Sequence, residues 1–419
     1  MKTHFLFLSL LIPALVFCTH PNQDEPQDNP PDEPQVEPWQ EPVFERNTAD
    51  PLDEVLAELP PEIVDGSTVQ ATRPYVEKFL TEVHYTDHDY TSTPKTHVLE
   101  YEGGYNDPDA TEYPVYNADK PALYTIRWVA DAAAGDLVLT LKDGSWSQQI
   151  QVAAGSDNQI ISNLRPNATY TYEVKGTNGS TLTSGSFHTT GSLHQVFFDW
   201  NVRNARDLGG WETYDGKTVK YRKIYRGGRL EGSTMSPKGR EAVLAEGIKA
   251  QLELRGKSDM LKFSPLGAEY AFCNPCIENG GYSMLDTYKD KTRQCFEFIV
   301  KCIREDKPVY FHCSLGRDRT GTLAALLLGV LGVKEADISK EYELSYFAPR
   351  GWSIAYSETS PVFRNTRDGE YASVAKYLWR YGKISTDNYE RFDKCVEKYL
   401  LEAGVSQKDI DDFRSLMLE

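Results

Sequence analysis

A β-sandwich with an N-terminal extension over residues 60–192, then an α/β domain over residues 193–419 whose mostly parallel sheet is flanked by helices, is the architecture the sequence predicts. Two patterns carry it. Between residues 123 and 189, short runs rich in β-formers are punctuated by Gly, Asp and Asn, as in a two-sheet all-β module. From residue 248 onward, strand-like runs alternate with helix-length runs, the order that builds a parallel sheet covered by helices. Composition agrees: 419 residues, 40% hydrophobic and 12% aromatic, suffice for two or three globular domains.

Lys2 precedes an apolar run over residues 5–17, too short to span a bilayer and of the length of a secretory signal core. Residues 1–17 are therefore expected to be a signal peptide. Cys18 stands where a bacterial lipoprotein signal carries its acylated cysteine, with Leu15 at the usual upstream position. Phe17 departs from the small residue normally found before that cysteine, and simple secretion is the alternative. Residues 18–59 are dense in Pro, Asp, Glu and Gln and are expected to be an extended, disordered acidic tether. The protein is thus expected to be exported, as a bacterial membrane-anchored lipoprotein of the periplasm or cell surface, meeting the membrane only through that N-terminal anchor.

Residues 60–119 are mixed and take no assigned element, although residues 83–86 alternate like a strand. His84, Asp87, His88 and Asp89 raise a metal site, with solvated strand ends the plainer account. Residues 123–128, 137–141, 149–152 and 169–174 alternate as strands should, followed by residues 185–189. The stretch ISNLRPNATYTY over residues 161–172 resembles the tyrosine-corner strand of fibronectin type III modules, which implies a fibronectin- or immunoglobulin-like sandwich. In the second part, residues 248–254, 270–277 and 308–311 are strand candidates. Helices are expected over residues 237–246, 285–305, 322–331, 372–381, 386–403 and 407–418.

The most telling stretch is HCSLGRDRTG, residues 312–321, between a β-forming run and a Leu/Ala-rich run. A loop that ends a strand and opens a helix aims successive backbone N–H groups at an anion, and the same field stabilises a thiolate. Cys313 would be the nucleophile. Arg319 offers a planar fork for two phosphate oxygens, and Gly316 lets the backbone turn without a Cβ in the way. Ser314, Leu315, Gly316 and Arg317 would cradle the ligand, Thr320 would donate to the cysteine sulfur, and His312 would orient the loop.

H-C-x-x-G-x-x-R-T resembles the signature of the cysteine-dependent protein tyrosine phosphatase superfamily. Residues 204–210, NARDLGG, residues 225–230, YRGGRL, and Asp318 beside Arg319 are similar to its bacterial secreted tyrosine and lipid phosphatase subfamily. The resemblance covers about residues 195–419. It implies attack of Cys313 on a phosphate monoester, a phosphocysteine, and hydrolysis of that intermediate by water, with no metal or other cofactor. A phosphorylated protein is the first expected substrate, with phosphoinositide or inositol polyphosphate as the alternative. A surface protein that binds phosphorylated ligands without turnover is a distant third.

Many such phosphatases take their general acid from an upstream Trp-Pro-Asp loop, and no such tripeptide occurs here. Asp259, Glu278, Asp286 and Asp290 stand in no recognisable frame, so Asp318 is the expected acid, as the resemblance also implies. Its alternative is an ion pair that shapes the loop. Arg317 would either recruit a second phosphate at the rim or be plain surface charge. Arg206 and Asp207 are candidates at the substrate site, Asp207 mainly as a structural carboxylate. Residues 346–379, with Arg350, Trp352, Tyr356 and Arg364, would be either a lid or ordinary packing.

A net charge of −17 argues against nucleic acid, which is held by clustered positive charge. An anionic substrate must then meet a local basic site. Seven cysteines are present. Cys273 and Cys276 form a lone C-x-x-C read as packing residues, with a redox role the minority account, and Cys295, Cys302 and Cys395 are expected in the core.

Overall fold

Alternation makes the strands of the N-terminal half: successive side chains point to opposite faces, so every second one is buried. The structure is a computed structural model describing residues 39–40, 43, 58–88, 119–348, 369–386 and 388–419. The signal segment, Cys18, nearly all of the tether, Asp89, Arg350, Trp352, Tyr356 and Arg364 lie outside the described residues. Strands β1 (Thr68–Gln70), β2 (Tyr124–Arg127), β3 (Leu137–Asp143), β4 (Trp146–Val152), β5 (Asn158–Ile161), β6 (Thr169–Gly176) and β7 (Thr181–Thr190) build two sheets. One runs β1-β7-β6-β3-β4 and the other pairs β2 with β5. Leu137, Leu139 and Val174 of the first share one buried core with Ile126 and Ile161 of the second, so the sheets close on each other as a sandwich. The Tyr170 hydroxyl accepts from the Arg165 N–H at 2.8 Å, tying the chain across the sheet end.

Helix α1 (Pro74–Glu82) was not anticipated. Proline at its start suits a first turn, and its apolar face, Val76, Phe79 and Leu80, packs on Leu193, Leu344, Tyr346 and Phe347 of the C-terminal half. Residues 83–86 pair with no strand among the described residues. The neighbouring polar cluster serves docking. Asp87 Oδ1 accepts from the Ala336 N–H at 2.8 Å, the Tyr214 hydroxyl donates to Asp87, and Glu335 accepts from the His88 N–H at 2.9 Å.

Strands β8 (Arg206–Asp207), β9 (Ile224–Gly227), β10 (Ala250–Glu253), β11 (Ala271–Cys273) and β12 (Val309–His312) form the second main sheet, in the order β11-β10-β12-β9-β8. All neighbours are parallel except β8, which closes the edge antiparallel to β9, so the sheet is mixed. Around it lie α2 (Pro237–Ala245), α3 (Gly281–Asp286), α4 (Lys289–Arg304), α5 (Asp318–Leu331), α6 (Glu335–Glu343), α7 (Gly369–Trp379), α8 (Phe392–Glu402) and α9 (Gln407–Met417). Every residue of α5 from Thr320 onward is buried, as a helix apolar on all sides must be. It starts four residues before the expected 322, because the polar Asp318-Arg319-Thr320 turn hides its beginning. The single helix expected over 285–305 is α3 and α4. A hairpin of β13 (Lys383–Ser385) and β14 (Asn388–Tyr389) precedes α8 where helix was expected. Strands β8 and β9 and helix α6 escaped notice because their charged residues are buried and their apolar runs are short.

Residues Trp39–Glu419 form one compact unit, and Arg222 joins its two halves. The guanidinium donates to Asp143 at 2.8 Å and to the Tyr170 hydroxyl at 2.9 Å, and lies 3.9 Å from the Trp146 ring centroid.

Candidate active site

Strand β12 ends at His312 and α5 begins at Asp318, so residues 313–317 turn at the carboxyl end of the sheet, where open α/β sheets bind ligands. Cys313 is 4% exposed and its thiol is free. Gly316 adopts φ +72°, and a Cβ there would collide with the Gly227 backbone. Only glycine fits both demands. The loop carbonyls are bonded from outside. Ser314 O accepts from the Arg229 N–H at 3.2 Å, and Gly316 O accepts from Asn204 Nδ2 at 2.9 Å and from the Arg226 guanidinium. The N–H groups of Ser314, Leu315 and Gly316 have no acceptor among the described residues. Together with the unpaired first-turn donors of α5 they make an anion cradle headed by the cysteine.

Arg319 is half-buried in the first turn of α5. Its Nη1 donates to Ile277 O at 3.0 Å, which fixes the guanidinium beside the loop. Asp318 is 52% exposed at its side chain and accepts from the Tyr342 hydroxyl at 3.1 Å. His312 is fully buried. Ser264 donates to Gln251 Oε1 at 2.6 Å, so the Gln251 amide nitrogen faces His312 Nε2 at 2.8 Å and Nδ1–H is left to donate to Cys313 O at 3.2 Å. Burial lowers the His312 pKa, Glu253 opposes that and Arg255 adds to it. The ring is thus a neutral brace on the cysteine's own peptide.

Several expected roles change. Thr320 Oγ1 is buried without a hydrogen-bond partner among the described residues, so the bond to the cysteine sulfur is not made. Arg317 is drawn back from the rim: its Nη2 donates to the Tyr346 hydroxyl at 2.8 Å, its guanidinium lies 4.8 Å from that ring's centroid, and its side chain is 12% exposed. Arg206 is buried and does not face the cradle, because Glu341 and Asn204 take its donors. Asp207 also stands away from substrate. It binds His194 Nδ1 at 3.0 Å and accepts from the N–H groups of Gly209 at 2.8 Å and Arg222 at 2.6 Å. Two rival acids are engaged elsewhere, Glu278 with the Lys257 N–H at 3.0 Å and Asp286 with the Tyr377 hydroxyl at 2.8 Å.

Sequence reasoning missed how much of the site is support. Glu341 accepts from Arg206 Nε at 2.8 Å and from Arg226 Nη1 at 2.7 Å, while Arg226 holds Gly316 O. Asn204 and Arg226 lay in stretches already noted for their resemblance, whereas nothing in the sequence marks Glu341. Arg255 is consumed by Glu253 and Glu231. Cys273 and Cys276 are free thiols, with Cys273 pushed up to about 11 by burial.

The profile described as "Tyrosine phosphatase family" matches residues 200–419, the whole of the mixed sheet and its helices. The chain belongs to the tyrosine phosphatase family. A tyrosine-protein phosphatase of Cupriavidus necator is 27% identical over 172 residues, covering 36% of this chain and 62% of that protein. The chain therefore spans less than two thirds of that relative. A tyrosine-protein phosphatase of Nostoc commune is 28% identical over 210 residues, covering 42% of this chain and 68% of that protein. Among solved structures, the core catalytic domain of the PP-IP phosphatase SIW14 from S. cerevisiae matches at 14% identity and a TM-score of 0.24, over 32% of this chain and 76% of that one.

For this phosphatase-family loop, Gly316→Ala combines a left-handed backbone with a backbone collision. It is expected to cost on the order of 100-fold in kcat through misplacement of the loop amides. Hydrolysis of p-nitrophenyl phosphate, compared with wild type at equal folded fraction, checks this.

Proposed function

We propose that the protein hydrolyses phosphate monoesters through a phosphocysteine, and that its natural substrate class is phosphotyrosine in proteins. The observation that carries this is Cys313 at the head of a loop whose carbonyls are bonded outward, with Arg319 held beside it. Cys313 Sγ attacks phosphorus and the P–O bond to the leaving group breaks, while Asp318 supplies the proton that the departing oxygen takes. Water then attacks the phosphocysteine, Asp318 takes its proton, and phosphate leaves as the P–S bond breaks. The loop amides and Arg319 hold the equatorial oxygens throughout, where charge is best stabilised by donors already in place.

Asp318→Asn should lower kcat by about 100-fold on phenyl phosphate, whose leaving group needs a proton, and far less on an activated aryl ester. Equal losses on both esters would leave Asp318 with a purely structural role.

The phosphotyrosine assignment is supported by the names of the two bacterial relatives and by Arg317, which is spent on Tyr346 and would have to leave it to read a second phosphate. Inositol polyphosphate or phosphoinositide remains the alternative. Turnover of phosphotyrosine peptide, inositol hexakisphosphate and phosphatidylinositol phosphates by wild type and Cys313→Ser decides between them.

For the rest of the chain, a fibronectin-like identity of the sandwich is supported by its two sheets and the Tyr170–Arg165 bond. Export with acylation at Cys18 is supported by the apolar leader alone. Loss of membrane fractionation on Cys18→Ser is the expected result, and unchanged fractionation would remove the anchor.

A further inference from the structure

Gly316 O is the meeting point of a buried polar ring. Asn204 Nδ2 and Arg226 Nη2 donate to it. Arg226 and Arg206 share Glu341, and Arg206 returns to Asn204 Oδ1. One member comes from the other half of the chain. Asp119, which leads into β2, accepts from the Asn204 N–H through Oδ2 at 2.5 Å. It is 5% exposed, and beside it Lys120, 3% exposed, lies 3.4 Å away and donates to Val202 O.

Three features set Asp119 apart from an ordinary packing residue. Its second oxygen, Oδ1, is buried with no hydrogen-bond partner among the described residues, and burying a carboxylate so incompletely satisfied costs stability. The peptide it holds belongs to Asn204, at φ +57°, a left-handed turn that asparagine takes more readily than most residues and that the bond to Asp119 holds in place. The side chain of that same Asn204 holds the loop. The two donors on Gly316 O fix the plane of the trans peptide that links it to Arg317, and with it the course of the loop.

We infer that Asp119 is a positioning residue for the phosphate-binding loop, so that the N-terminal half completes the active site through the Asp119–Asn204–Gly316 contact instead of merely spacing it. Resting on the phosphatase reading, the inference concerns the shape of the loop more than the chemistry of the cysteine. A sandwich contact elsewhere, Asp143 with Arg222, joins the same two halves without touching the loop.

The test uses the full chain as wild type, Asp119→Ala, Asp119→Asn, the double variant Asp119→Ala with Lys120→Met, and Asp143→Asn as interface control. Orthovanadate affinity is measured by calorimetry, turnover with p-nitrophenyl phosphate, and Tm by thermal unfolding. Asp119→Ala is expected to lower both kcat and orthovanadate affinity about tenfold. Asp119→Asn, which keeps an acceptor for the Asn204 N–H, should recover most of each. The double variant removes the ammonium that Asp119→Ala would strand, and should show the same loss of affinity should the single variant not fold. Asp143→Asn should lower Tm with kcat and affinity unchanged. Wild-type affinity in the double variant, or a parallel loss of affinity in Asp143→Asn, overturns the inference. A wild-type protein that binds orthovanadate yet never turns over would sink the phosphatase reading and leave the affinity comparison to judge Asp119.

Discussion

Cys313→Ser is expected to abolish aryl phosphate hydrolysis, by a factor on the order of 10⁴ or more, while orthophosphate still binds. The two effects separate because different atoms produce them. Attack needs the sulfur, since a serine hydroxyl at the same place is a far weaker nucleophile without a base to activate it. Anion binding needs the loop amides, whose carbonyls are held by Asn204, Arg226 and Arg229, and Arg319, anchored on Ile277 O. None of these contacts involves the sulfur. Rapid quench of wild type with a labelled aryl phosphate should trap phosphate on the protein, and the serine variant should trap none. Residual turnover within tenfold of wild type would reject the nucleophilic role of Cys313.

Glu341→Ala is expected to be the most destabilising single change in the catalytic half. Glu341 is 1% exposed and is shared by Arg206 and Arg226, themselves 2% and 0% exposed. Removing it strands two buried guanidinium groups at once. Breaking a buried ion pair from one side costs about 3–5 kcal/mol, which translates to a fall in Tm of roughly 10 °C for a domain of this size. Glu341→Gln keeps the acceptor oxygen and should lose less. Because Arg226 also holds Gly316 O, activity should fall in the surviving folded fraction. Thermal unfolding with and without orthovanadate checks both parts, and a shift below about 2 °C, the scale of a neutral surface change, would show the ring to be dispensable.

The phosphate loop was legible because its parts are contiguous. Histidine, cysteine, glycine, arginine and threonine fall within residues 312–321, and a strand-to-helix turn needs only local geometry to make them a cradle. Helix α5 was legible for a related reason, since an unbroken apolar run has no solvent face to offer. Support was not legible. Asn204 lies 112 residues from Gly316, Asp119 lies 85 residues from Asn204, and Glu341 lies 135 residues from Arg206. A glutamate or an aspartate in sequence looks like surface charge until a partner is brought to it. Arg206 and Arg317 were ambiguous for the same reason: an arginine near a phosphate motif is indistinguishable, in sequence, from one spent on a carboxylate or a tyrosine ring.

Helix α1 and the segment after it show where local pattern fails. Nothing in residues 74–88 reveals that their apolar face packs on Phe347 and Leu344, or that Asp87 meets the first turn of α6. By itself the sequence marked Cys313 and Arg319 as candidates for nucleophile and anion holder, and determined the alternation of strands and helices and membership of a phosphatase-like signature, all properties set by neighbours along the chain. Only the tertiary structure decided which arginines are spent on buried carboxylates, that His312 is a buried brace on the Cys313 peptide, and that a carboxylate from the N-terminal half reaches the loop's support. Those depend on burial and on pairings between distant residues, and a charge changes its meaning with the partner that the fold supplies.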